Sequence, residues 1–176
     1  MEKILKKTTY NTRKIAFLGI MLAVIIVLLT IENMLPPFPF FPPNFKLGIS
    51  NIIVMFAIFF ISSKDAFTLG ILKSFFNLLL RGLFGGALSL AGGLLSIAII
   101  VILQKISKNK ISIISLSIMG AIFHNIGQLI VASFIFRSPH LFLGFLPVLL
   151  VAGVVLGTLT GISANILMPT LKRIYN

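Results

Sequence analysis

Long apolar runs alternate with short polar, proline-rich or glycine-marked breaks along almost the whole chain. A membrane-spanning helix needs roughly 17–25 predominantly apolar residues, and six segments approach that: Lys14–Met34, Leu47–Ile61, Ala66–Leu80, Ala87–Leu103, Ile113–Phe136 and Leu146–Met168. The second is short but uncharged. The third is interrupted by Lys73 and Asn77, and the fifth carries His124, Asn125 and Gln128. Five prolines between Pro36 and Pro43 exclude a helix there, because proline lacks the amide donor and clashes with the preceding turn. Gly85-Gly86 and the stretch Arg137–Gly144 supply the other expected breaks on that side. The pattern predicts an all-α integral membrane protein with about six transmembrane helices, folded as a single transmembrane domain over residues 1–176.

Charge gives this bundle an orientation. Lys3, Lys6, Lys7, Arg13, Lys14, Lys64, Lys105, Lys108, Lys110, Lys172 and Arg173 fall on one side of the expected spans, and only Lys46, Arg81 and Arg137 on the other. Lysine and arginine accumulate in cytoplasmic loops, so both termini are expected in the cytoplasm and the number of spans is even. The apolar run after the basic amino-terminal segment resembles a signal peptide, but Glu32-Asn33 and the prolines follow it in place of a small-residue cleavage pattern, so it is read as a retained first helix.

Composition supports this reading. Hydrophobic residues make up 58% and charged residues 10% of the 176 residues, against roughly a quarter charged in an average soluble domain. The net charge of +12 is spread in clusters between apolar runs, as topology signals are, and not along one face that would follow a nucleic acid. The chain has no cysteine, which excludes disulfides, thiolate-ligated clusters and a cysteine nucleophile. No Gly-x-x-x-x-Gly-Lys-Ser/Thr loop is present, so the chain does not itself power transport with ATP. Glu2, Glu32 and Asp65 are its only carboxylates, too few for an aspartate-rich magnesium–diphosphate motif. No catalytic residue, metal site or cofactor is expected.

Polar groups at membrane depth are costly and usually face the bundle interior. Lys73, Asn77 and Arg81 recur every four residues on one face of the third span. Two cations on one stripe suit an anion, with lysine as a point charge and arginine as a fork. The competing reading has Arg81 snorkelling to the interface. His124, Asn125 and Gln128 cluster on the fifth span, either facing a ligand or tying helices together by hydrogen bonds. Lys46 and Asn51 add polar groups at the same end. Glu32 there is open to pairing with Lys46 or Arg81, or to binding substrate. Small residues at four-residue spacing allow close helix approach. Gly153, Gly157 and Gly161 form one such stripe, and Gly19 and Ala23, with Ala16 nearby, form another.

Several runs carry a family resemblance. Lys46-Leu47-Gly48-Ile49-Ser50-Asn51 after a proline-rich loop, Gly85-Gly86, Ser89-Leu90-Ala91-Gly92-Gly93, His124-Asn125-Ile126-Gly127-Gln128 and Leu146-Pro147 together resemble the Gx transporter family, labelled heptaprenyl diphosphate synthase component I. That family is similar to the substrate-binding S components of energy-coupling factor transporters. The resemblance implies six helices, an outward-facing pocket, and an energy-coupling module of two ATPases and a transmembrane coupling subunit, docked through small residues of the first helix such as Ala16, Gly19 and Ala23.

The leading expectation is a non-catalytic, multi-pass protein of the cell membrane. It would bind a small anionic or phosphorylated, partly apolar ligand through Lys46, Asn51, Lys73, Asn77, Arg81, His124, Asn125 and Gln128. The label implies the alternative, an accessory membrane subunit partnered by a soluble prenyl synthase in menaquinone side-chain synthesis; the association of related genes with extracellular electron transfer adds a subunit serving a quinone-linked system of that kind. A purely structural membrane scaffold is the third class.

Overall fold

A computed structural model describes residues 2–35, 48–108 and 110–175, with side chains from residue 12 onward except 168 and 170–175. Lys46 and the proline-rich segment lie outside the described residues. All regular structure among the described residues is helical, in the order α1 (Glu2–Met34), α2 (Asn51–Phe60), α3 (Ser63–Ile106), α4 (Ile113–Ile135) and α5 (Pro139–Tyr175). Residues 12–34 of α1, all of α3 and α4, and residues 139–167 of α5 are long and apolar enough to cross a membrane, and α2 is a shorter apolar helix. The chain is a multi-pass membrane protein. Its outer surface bears Ile15, Leu83, Phe134, Val151 and Ile166, all well exposed, and lipid is the solvent in which such a surface is stable.

The 44 residues of α3 would extend about 66 Å if straight, twice the roughly 30 Å hydrocarbon layer. They fold back instead. Gly82 has φ 71° and ψ −175°, a combination open to glycine and strained for other residues. Across the break Ser74 Oγ lies 3.3 Å from Ser89 Oγ, and Asn77 Nδ2 donates to the Gly85 carbonyl at 2.8 Å. Residues 63–81 and 83–106 are therefore two arms lying side by side. The expected break at Gly85-Gly86 is corrected to Gly82. Gly86 serves the packing instead. A Cβ there would sit 2.6 Å from Leu78 Cβ, so its bare backbone lets the arms meet.

The other junctions follow local chemistry. Ser62 caps α3 by accepting from Lys64 N at 3.1 Å, and Ser112 caps α4 through Ser115 N at 3.1 Å, satisfying amides that a helix start leaves open. Arg137 adopts φ 50° after α4, and Ser138 N reaches back to the Ser133 carbonyl at 3.1 Å, the left-handed termination common at helix ends. The expected loop Arg137–Gly144 is thus shorter than the sequence suggested, because α5 already starts at Pro139. Proline at a first helical position lacks only an amide that would be unpaired anyway. The predicted second span is likewise reduced to the 10 residues of α2, because Gly48, at φ 75°, and residues 49–50 form a turn.

Glycines set the packing of α3, α4 and α5. A Cβ on Gly153, Gly157 or Gly161 would come within 3.0, 2.5 or 2.8 Å of Ile122, Ile118 or Ile114 Cα. This stripe seals α5 onto α4 inside the chain. Gly92 and Gly127 do the same between α3 and α4, where added Cβ atoms would meet the His124 and Ala91 carbonyl oxygens at 2.7 and 2.8 Å. One apolar cluster gathers Met21, Ile25, Met55, Leu69, Ile97, Ile100 and Leu116; a second gathers Leu88, Leu129, Ala132 and Leu149. Along α4 the polar run 124–128 falls between the members of these two clusters.

Candidate functional site

The close approach of α4 to α3 at Gly92 and Gly127 brings His124 and Gln128 toward Lys73, Asn77 and Arg81. These five line one cavity, joined by Glu32 and Asn33 near the end of α1, Gly48 and Ser50 before α2, and Leu29, Gly85, Leu88 and Ser89. Its volume is about 20 Å³, room for about one water molecule. A second cavity of about 20 Å³ borders it at Gly48 and His124 and is lined by Asn51, Ser96, Ser117, Asn125 and Thr160. A third, about 10 Å³, lies against Asn51, Lys73, Gly93 and Ser96. Lys73, Asn51 and His124 are thus shared among adjoining voids, and a larger ligand requires those partitions to move.

The four-residue spacing of Lys73, Asn77 and Arg81 places all three on this cavity. Lys73 is 5% exposed and donates to Asn51 Oδ1 at the head of α2. Asn77, 4% exposed, uses Nδ2 on Gly85, while its Oδ1 is buried without a partner. Arg81 is half-buried at the end of its arm. From α4, His124 Nε2 and Gln128 Nε2 are joined at 2.6 Å, and Gln128 Oε1 is buried without a hydrogen bond.

Not every candidate faces the same void. Asn125 turns to α5 and donates to the Leu149 carbonyl at 2.8 Å, a helix–helix tie of the kind membrane bundles use. Asn51 lines the two neighbouring voids and meets the first through Lys73. Ala16, Gly19 and Ala23 lie on an exposed face of α1, and nothing among the described residues lies within 4 Å of a Cβ built on Gly19. Lys46 is outside the described residues.

Glu32 is the lining residue that the sequence placed least well. It is 3% exposed, accepts from Gly48 N, and receives Ser50 Oγ at 3.3 Å. It therefore pins the turn before α2 to the end of α1. Its position at an apparent helix end disguised this, since a carboxylate there reads as interfacial. Ser50 and Ser89 were visible only as neighbours of the Gly48 and Gly92 motifs; small hydroxyl residues in apolar helices carry little signal alone. Lys73 and Arg81 outnumber Glu32 on the cavity, so its lining carries an excess positive charge. No group of three or more metal-ligating side chains occurs among the described residues.

No curated protein and no solved structure matches the chain. The match is at the level of a family: the profile described as heptaprenyl diphosphate synthase component I aligns with residues 21–167, a stretch that contains every residue lining the three cavities. On that coverage the chain belongs to the heptaprenyl diphosphate synthase component I family.

Proposed function

We propose that this protein is a non-catalytic membrane subunit that binds a small anionic ligand inside its helix bundle, in the manner of a transporter's substrate-binding component. The observation that carries this reading is Lys73, a cation 5% exposed within an apolar bundle, which shares with Arg81 the lining of a cavity with uncommitted amide oxygens. Burying a charge in a membrane protein is costly and is retained where it serves a ligand or a pathway. Both termini would face the cytoplasm, and the cavity would open to the outside between α1, α3 and α4. Ligand binding stabilises a folded protein by mass action. Purified protein in detergent should therefore gain melting temperature on titration with inorganic phosphate or small carboxylates, and Lys73→Ala should lose most of that gain. An equal gain in the variant removes Lys73 from the site.

The exposed face of α1 bearing Ala16, Gly19 and Ala23 would dock a transmembrane coupling subunit. Because a Cβ at Gly19 meets nothing within 4 Å among the described residues, Gly19→Leu should leave the bundle intact, which the melting temperature of the variant checks, and isolate docking. Reduced recovery of a coupling subunit in pull-down supports this assignment; unchanged recovery removes it.

The family description favours a second reading, in which the bundle is the membrane subunit of a prenyl diphosphate synthase and its partner is a soluble catalytic chain. Affinity purification from the native membrane separates the two. Recovery of an ATPase pair supports the first, and recovery of a prenyl synthase chain supports the second.

A further inference from the structure

Asn77 presents an acceptor that no hydrogen bond among the described residues uses. Its Nδ2 donates to the Gly85 carbonyl at 2.8 Å, which fixes the orientation of the amide. The remaining polar atom is Oδ1, which is buried without a partner on a side chain only 4% exposed. Across the same cavity Gln128 Oε1 is also without a hydrogen bond, in the orientation that sets Gln128 Nε2 against His124 Nε2. Both stand on a lining that includes Lys73 and Arg81.

Cations attract an oxyanion, whereas an amide oxygen repels a bare oxyanion and accepts from an O–H or N–H. A fully deprotonated, donor-free anion would satisfy the cations and leave both amide oxygens buried and unpaired, which is penalised. We infer that the ligand of this cavity is an oxyanion carrying its own O–H donor, as hydrogen phosphate and α-hydroxycarboxylates do, and that Asn77 Oδ1 is the atom selecting for it. Sulfate near neutral pH has no proton to give, and neither does the phosphodiester of a lipid headgroup. The inference rests on the anion-binding role of the cavity.

The test uses the full chain in detergent at constant ionic strength, with thermal unfolding followed against sodium phosphate, sodium sulfate and short-chain phosphatidylmethanol, an anionic phosphodiester lipid whose headgroup carries no hydroxyl. Phosphate should half-saturate at about tenfold lower concentration than sulfate, and Asn77→Val should erase that preference while both anions still bind. Because Asn77 also ties the arms of α3 together, the unaltered chain is tested in parallel with glycolate and acetate. These differ by the hydroxyl alone, and glycolate should bind more tightly. Equal affinity for phosphate and sulfate, or for glycolate and acetate, overturns the donor requirement and leaves the anion site standing. Tighter binding of the lipid than of free phosphate overturns it as well. Failure of every anion to bind overturns the anion site and this inference together.

Discussion

Glu32 and Lys73 are opposite charges lining one cavity, yet both reach for the segment entering α2: Glu32 holds Gly48 and Ser50, and Lys73 holds Asn51. The start of α2 is therefore held by two charged groups that also line the cavity. Glu32→Gln keeps the shape of the side chain and removes its charge. Charge-assisted hydrogen bonds are the stronger kind, so the variant should lose about 1–3 kcal/mol of stability without ligand. It should also bind phosphate more tightly, because the carboxylate no longer competes for Lys73 and Arg81. Melting curves with and without phosphate read both effects, and a variant unchanged in both would remove Glu32 from this role. Serine and asparagine contacts such as these were not legible residue by residue, since each needs a partner 15 to 24 positions away.

At the scale of elements, glycine decides which helices touch. Gly157 faces the Ile118 Cα, which an added Cβ would approach to 2.5 Å, while Gly93 would meet nothing within 4 Å. Gly157→Leu should force α5 off α4 and cost at least the roughly 1–3 kcal/mol typical of overpacking. Gly93→Ala should stay within about 1 kcal/mol of the parent, since helix propensity favours alanine. Thermal unfolding of the pair provides its own control; similar melting temperatures would contradict the packing described. The stripe at 153, 157 and 161 was legible because its period matches a helix face. The turn at Gly82 was not, because a Gly-Gly pair three residues on gives a stronger local signal, and what distinguishes them is the approach of Leu78 to Gly86.

For the whole molecule, the two arms of α3 and the turn at residues 136–138 place residue 138 at the opposite end of the bundle from residue 108. The chain contains no cysteine, so single cysteines report topology cleanly. Ser138→Cys should react with a membrane-impermeant maleimide in intact cells, and Lys108→Cys should react only after lysis. The reverse pattern would falsify the expected orientation. Sequence alone determined the solvent of this protein, because a chain 58% hydrophobic and 10% charged bears more apolar surface than a small soluble fold hides. It also determined the all-helical class, because a backbone in lipid must satisfy its own hydrogen bonds and the long continuous apolar runs match the length of spanning helices and not the shorter strands of a barrel. It found the stripe of Lys73, Asn77 and Arg81 and the cluster of His124 and Gln128, because helical periodicity fixes which residues share a face. Only the tertiary structure decided that these two faces meet on one cavity, that Asn125 turns away to Leu149, and that Glu32 closes the circle. Those outcomes depend on where α3 folds back and how closely glycines let α4 approach it, and local sequence periodicity specifies neither.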